Sequence, residues 1–344
     1  MLTAQATVSM SWVFTVMGSA ERCGVGRAAL LAHAGIAKKD LLAQERLPIE
    51  YITRLWRSAA ELTKDPGFGL KTGCLVGPAS FNVVSFIFQS SSTLREAMAQ
   101  VQKFHRLISD GGRFQIIAGD DQSWVVYHPQ QGDLPFSPHQ IEAVLAGVVS
   151  FSAWVTGKAF VPSKVQFDHE RIGPLAGYRS VFHTTPDFEQ TFSGLKVDNA
   201  LLDQALPQAD VQLANLHREY ASARLAALSH APDFVEEIRQ WLLVQLVAGV
   251  PERSTAARQF GLSDRVFARR LQSLGLSYTD LVDAVRKDAA CVAVAETTRL
   301  FGDVAQSLGF AEASTFNRAF KRWTGHSPGA WRIGSHFQSH SVRT

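Results

Sequence analysis

The 344-residue sequence is short of several features that would define other classes of protein. It has three cysteines, Cys23, Cys74 and Cys291, odd in number and widely spaced, so neither a disulfide framework nor a zinc-ligand spacing can be made from them. No apolar run is long enough to span a bilayer: the longest, around Ile141 to Val155, is interrupted by Glu142, Ser150 and Ser152. The amino terminus lacks a basic segment and a cleavage site, so a cytoplasmic protein with no membrane partner is expected. Missing too are a glycine-rich phosphate loop, a Gly-x-Ser-x-Gly elbow and a His-Glu-x-x-His pair. No catalytic residue, cofactor or metal is therefore assigned, and the chain is not expected to be an enzyme. His336 and His340 would stand one turn apart in a helix, but a loose tail is expected there; His105, beside Arg106, reads as an ordinary helix residue.

Net charge is also small, with 34 basic residues against 31 acidic ones. The distribution is more informative than the sum. From Arg253 to Arg332 there are 12 Lys and Arg against 7 Asp and Glu, so this window carries +5 and the remainder of the chain −2. A positive field confined to one segment suits a polyanionic partner for that segment.

That segment contains a repeat. In residues 302–332, two short amphipathic patterns meet at Leu308-Gly309-Phe310, where glycine takes the positive φ of a tight turn between helices at little steric cost. Phe316, Phe320 and Trp323 recur at the spacing of one helical stripe. Ser314, Asn317, Arg318 and Lys321 fall on the opposite flank, and they offer hydroxyl, amide and guanidinium groups for base edges and an ammonium for phosphate. Glu312 suits the positive end of this helix. A buried helix with a solvated polar side has the same pattern, but the plan occurs twice. Gly261 matches Gly309 at an offset of 48, and Phe267, Arg269, Leu271 and Leu274 match Phe316, Arg318, Phe320 and Trp323 at 49. Ser263 is a suitable N-cap for the first of these helices. Tyr278 to Glu296 reads as one long helix joining the copies, a rigid spacer that fits two successive major-groove segments about 34 Å apart.

This stretch resembles the DNA-binding domain of the AraC family of bacterial transcription factors. The paired helix-turn-helices carry the likeness, with the run Val304-Ala305 through Leu308-Gly309-Phe310 to Phe316-Asn317-Arg318-Ala319-Phe320-Lys321-Arg322, and the exit Gly325-His326-Ser327-Pro328 before Trp331-Arg332. The resemblance implies base contacts from Arg265, Ala268 and Arg269 on the first reading helix and from Ala313, Ser314, Asn317 and Arg318 on the second. Alanine at 268 and 313 departs from a polar reader and offers methyl contact at most. Double-stranded DNA and RNA polymerase are the implied macromolecular partners.

The first two hundred residues mix helices and strands. Helices are expected within 8–35, at 49–62, at 81–88 and, capped by Thr93, at 94–107, with breaks at Gly67-Phe68-Gly69-Leu70 and Gly77-Pro78. A hairpin pairs 113–117 with 123–127, followed by a long helix at 138–156 and strands near 164–167 and 189–192. This order, with Asp65-Pro66-Gly67-Phe68-Gly69-Leu70, is similar to the amino-terminal domain of the AraC-family branch that contains ornithine-utilisation type regulators. It implies a sensory and oligomerising domain that binds a small-molecule effector of unknown identity. A pocket between the hairpin and the long helix would be lined by Phe88, Trp124, Tyr127, Phe151 and Trp154, with Arg106 or Arg113 for an anionic head group; ordinary core is the alternative.

The expected fold is an α+β amino-terminal sensory domain plus an all-α carboxyl-terminal domain with two helix-turn-helix motifs joined by a linker helix. The expected divisions are a sensory domain at 1–200, a linker helix and candidate dimer contact at 201–231, a DNA-binding domain at 232–335 and a tail at 336–344. The expected function is that of a ligand-responsive, dimeric, sequence-specific transcription regulator; the alternative is a small-molecule binding protein or enzyme with an appended DNA-binding domain.

Overall fold

The computed structural model describes residues 6–41, 45–130, 134–228, 234–295 and 299–332, and the chain divides into two units, Met1–Leu228 and Ser229–Thr344. The expected boundary at Ser229–Pro232 and the tail with His336 and His340 lie outside the described residues.

In the first unit β1 (Thr7–Ser9) leads into α1 (Met10–Arg22), α2 (Arg27–His33) and α3 (Lys38–Leu41). β2 (Arg46–Pro48) pairs antiparallel with β1, setting Val8 opposite Leu47, and runs into α4 (Ile49–Thr63). The stripe Ile52, Leu55, Trp56 and Ala59 of α4 is buried, as its spacing requires. α5 (Phe68–Cys74) follows, then α6 (Val83–Ser90) and α7 (Leu94–Phe104), whose Thr93 cap accepts a hydrogen bond from the Glu96 amide. The hairpin is β3 (Gly112–Ile117) and β4 (Gln122–Pro129), followed by α8 (Pro138–Thr156). β5 (Lys164–Gln166), α9 (Leu175–Phe182), β6 (Ser193–Asp198), α10 (Asn199–Leu202) and α11 (Val211–Leu228) complete the unit. Its sheet is antiparallel in the order β3-β4-β6-β5, with Val125 and Val165 both opposite Leu195.

Three expectations are corrected. Residues 67–70 were expected to break the helical pattern, yet a helix begins at Phe68, because Gly69 and Gly73 let α5 lie almost against α8. A Cβ on Gly73 would stand 2.5 Å from the Ala146 Cβ, and one on Gly69 would stand 2.3 Å from the His139 carbonyl oxygen. The strand expected at 189–192 begins instead at Ser193: Glu189 turns the chain at a φ of +56°, and Gln190 donates from its amide to the Phe167 carbonyl. α9 was not anticipated at all. Pro174, which reads as punctuation, is its N-cap, and Tyr178 and Phe182, one turn apart, are its buried face.

The stretch expected to link the domains is described as far as Leu228. There α11 lies on α6, burying Ala214 and Ala221. Away from that contact Leu213, Leu216 and Tyr220 are exposed along one face, and Val211 is exposed at the start of the helix.

In the second unit α12 (Phe234–Gln245) precedes α13 (Arg253–Gln259) and α14 (Asp264–Ser273), then α15 (Tyr278–Ala295), α16 (Phe301–Ser307) and α17 (Ala313–Thr324). Two apolar cores form here. Phe234, Ile238, Phe267 and Leu271 belong to the first, and Val304, Leu308, Phe316 and Phe320 to the second. α15 serves both, with Leu281, Val282 and Val285 in one and Ala290, Ala293 and Val294 in the other. Among the described residues no helix is long and apolar enough to cross a membrane.

One ionisable group sits deep in the first unit. Glu142, on α8, is fully buried and accepts a hydrogen bond from the Tyr178 hydroxyl, and burial pushes its carboxyl up to about 8. A carboxyl that binds its proton more tightly when folded loses stability as pH rises from its unfolded value through its folded one. His139, which burial lowers to about 4, acts in the opposite sense, with a window that closes near pH 6.5. Between about pH 6.5 and 8 the protein is therefore expected to lose stability from Glu142 by up to ~1.4 kcal/mol per pH unit. Glu142→Gln should flatten that slope in thermal melts across the series; an unchanged slope would mean that Glu142 is not protonated in the fold.

Candidate nucleic-acid interface

The two sequence repeats fold into the same turn. Gly261 and Gly309 have φ of +67° and +69°. The Leu262 amide reaches back to the Ala257 carbonyl at 2.9 Å, and the Phe310 amide to the Ala305 carbonyl at 2.9 Å. The glycine amides bond to Arg258 and Gln306 at 3.1 and 3.0 Å. This is the six-to-one closure of a helix that ends in a left-handed glycine, and every partner in the second copy is 48 residues after its equivalent in the first.

After each turn a helix begins with an apolar back and a polar front. Ser263 caps α14, accepting from the Val266 amide at 3.4 Å, and Asp264 in its first turn bonds Arg253 through both carboxylate oxygens at 2.7 Å. Glu312 is the N-cap residue of α17, and its carboxylate accepts from the Ser314 hydroxyl at 3.0 Å. Phe267 and Leu271 are buried in the first copy, Phe316 and Phe320 in the second. The match of Leu274 to Trp323 is the one that the structure does not keep. Trp323 packs on the second core, whereas Leu274 lies past the end of α14 and is 51% exposed, because α14 is the shorter helix.

Every polar residue singled out in the sequence is on the outer side. Arg265 and Arg269 of α14 are exposed and Ala268 is half-buried; Ala313, Ser314, Asn317, Arg318 and Lys321 of α17 are exposed. The cations around them divide into two kinds. Arg253, Arg322 and Arg239 pair with Asp264, Asp283 and Asp288, Arg270 lies over the Phe234 ring at 4.2 Å, and Arg332 donates to the Val294 and Arg299 carbonyls. Among the described residues Arg265, Arg269, Arg318 and Lys321 have no intramolecular hydrogen bond or ion pair.

Sequence reasoning missed the residue that fixes the two copies to each other. Arg286, near the middle of α15, donates from Nε to the Leu308 carbonyl at 2.9 Å and from Nη2 to the Gly309 carbonyl at 2.6 Å, and stacks over Phe310 at 4.0 Å. Burial lowers its proton affinity, though an arginine stays charged. Its neighbours, Val285 and Lys287, give no sign of this role, because the carbonyls it bonds are more than twenty residues away. From the other side Gly309 abuts the corner after α12: a Cβ there would lie 2.8 Å from the Leu246 carbonyl oxygen and 3.0 Å from the Gly249 Cα.

The pocket expected in the first unit is present with a different lining. Phe88, Tyr127 and Phe151 border a cavity, whereas Trp124 packs against Phe192 and Trp154 is 53% exposed. Neither Arg106 nor Arg113 lines it; Arg106 bonds Asp110 at 3.0 Å.

Comparison with known proteins is consistent with both units. Residues 24–206 match the family described as the arabinose-binding domain of AraC transcription regulator, N-terminal, and residues 256–333 match a helix-turn-helix domain. The chain is 26% identical to the ornithine utilization regulator of Pseudomonas aeruginosa over 310 residues, 90% of this chain and 91% of that one. It is 24% identical to the HTH-type transcriptional regulator VirS of Mycobacterium tuberculosis over 284 residues, 82% and 83% of the two chains. Among solved structures, the transcriptional regulator CdpR from Pseudomonas aeruginosa aligns over 93% of this chain and 98% of its own, at 20% identity and a TM-score of 0.41.

The two turn glycines should respond differently to the same substitution. Gly261 has open space where a Cβ would stand, so Gly261→Ala should cost only the left-handed strain of about 1 kcal/mol. Gly309→Ala adds a collision with backbone and should cost ~2–4 kcal/mol. Denaturant titration of both variants measures this, and equal losses would contradict the packing of the second turn against the corner after α12.

Proposed function

The chain belongs to the AraC family of transcription regulators and is a DNA-binding regulator of transcription; from this premise we propose that α14 and α17 are its two reading helices and enter successive major-groove segments of one operator. The observation that carries this reading is the set of exposed cations, Arg265, Arg269, Arg318 and Lys321, that have no partner among the described residues. An exposed guanidinium with no partner keeps both forks for a guanine edge or a phosphate, and holding it free of the protein's own acceptors removes a competing state. On this reading Arg265 and Arg269 contact bases from α14, with Ala268 offering a methyl group. Ser314, Asn317 and Arg318 do so from α17, with Ala313 at its start, and Lys321 holds phosphate. The 18 residues of α15 span about 27 Å, a length suited to readers set one helical turn of DNA apart.

We further propose that a small-molecule effector bound to the first unit controls this activity, that the regulator works as a cytoplasmic homodimer in which the exposed Val211, Leu213, Leu216 and Tyr220 of α11 meet a second copy, and that it acts on RNA polymerase at its promoter. The family supports the effector and the polymerase. Exposed apolar side chains at Leu213, Leu216 and Tyr220, which recur along one face of α11, support the dimer.

Binding to the protein's own promoter region against scrambled DNA at one salt concentration tests the central reading, and equal affinities would reject it. Arg318→Ala should cost about 1–3 kcal/mol and relax base preference at one position of the site, while Lys321→Ala should weaken all sequences alike and reduce the salt slope by about one. Identical behaviour of the two variants would mean that α17 does not read bases with this face.

A further inference from the structure

We propose that the cavity of the first unit takes an uncharged, largely apolar small molecule bearing a hydroxyl, and that Gln140 is the residue that recognises the hydroxyl. The inference rests on the effector reading above and names the class of ligand that the same site admits.

The cavity measures about 110 Å³, several times the ~10–15 Å³ that one water requires. It lies among α1, α6, α7, the hairpin and α8, and its walls include Trp12, Phe81, Phe88, Phe114 and Phe151. Among the described residues no Asp, Glu, Lys or Arg lines it. A carboxylate, an ammonium or the dense hydroxyls of a sugar would leave water there without compensating partners. A flat or extended apolar body would meet aromatic faces already arranged for it: Phe81 and Phe88 each stand edge-on to Phe151, at 5.4 and 5.2 Å between ring centres.

The polar groups of the lining narrow the class further, because most are engaged. The Ser85 hydroxyl donates to the Asn82 carbonyl at 2.7 Å, the Ser109 hydroxyl accepts from the Gly111 amide at 2.9 Å, and the Tyr127 hydroxyl faces the Gly111 carbonyl at 3.4 Å. His105 uses Nδ1 on the Gln102 carbonyl at 2.9 Å, which requires a proton on Nδ1 because a carbonyl only accepts. Gln140 differs from all of these. It is 4% exposed, lines the cavity, and has a buried side-chain oxygen with no hydrogen-bond partner among the described residues. An orphaned acceptor beside an apolar cavity is costly unless something fills the need. A ligand hydroxyl does so, and since a hydroxyl both donates and accepts it serves either orientation of the amide.

The test uses the full chain with 1-naphthol and 1-naphthoate, a neutral and an anionic probe of the same shape, alongside L-arabinose and L-ornithine, each titrated by calorimetry near pH 7. Naphthol should bind at least about tenfold more tightly than the other three. Gln140→Leu, which keeps the shape and removes the acceptor, should weaken naphthol by about tenfold. Val148→Trp, which fills the cavity from α8, should abolish binding; if that variant does not fold, Gln140→Leu decides alone. Naphthoate, ornithine or arabinose binding as tightly as naphthol would overturn the proposal, as would naphthol binding that Gln140→Leu leaves intact, or none at all. Promoter affinity measured with and without saturating naphthol separates the two readings. Bound naphthol with no change in promoter affinity supports the ligand class and counts against the effector reading. A charged or sugar ligand that alone shifts promoter affinity does the reverse.

Discussion

The second unit depends on a single helix being shared by two cores. α15 buries Leu281, Val282 and Val285 in one helix-turn-helix and Ala290, Ala293 and Val294 in the other, so neither motif can be packed without placing the same rigid rod. A helix by itself fixes a distance but leaves each motif some freedom to roll. Arg286 reduces that freedom by bonding the carbonyls of the second turn at 2.9 and 2.6 Å while lying on Phe310. Charge-assisted bonds to two consecutive carbonyls are directional in a way that apolar contact is not. Gly309, pressed against the Leu246 carbonyl, closes the joint from the opposite side.

Much of this unit was legible in the sequence because it is built from local rules repeated. A glycine that must adopt positive φ and an apolar stripe at helical spacing identify both turns and both outer faces before any coordinates are known, and a hydroxyl cap marks the start of the first reading helix. What escaped was non-local. The role of Arg286 depends on carbonyls in another helix-turn-helix, and Leu274 reads as the equal of Trp323 until the earlier end of α14 exposes it. In the first unit the hairpin and α8 were clear from alternation and length, while α5 and α9 were hidden by residues that usually interrupt helices. There the glycines serve contact between helices, and the proline serves as a cap.

The first unit carries polar groups that its core could do without. Glu142 sits against Tyr178 in apolar surroundings, and Gln140, two residues earlier on the same helix, has its oxygen unmet. Both belong to α8, which also packs against the backbone of α5 through small residues. Burying such groups costs stability that an all-apolar helix would retain. An arrangement that keeps a neutral carboxyl on one side of a helix and an open acceptor on another is one whose stability can respond to a bound molecule.

The two outer faces are not copies of each other. α14 presents two arginines around a half-buried alanine, whereas α17 presents a serine, an asparagine, an arginine and a lysine. If these faces are the readers, one subunit bound to DNA carries an arrow: its two ends ask for different letters, and turning the molecule around along the double helix yields a mismatch at both. A single protomer would then already tell upstream from downstream, and polarity on the chromosome would not have to come from the way subunits are combined.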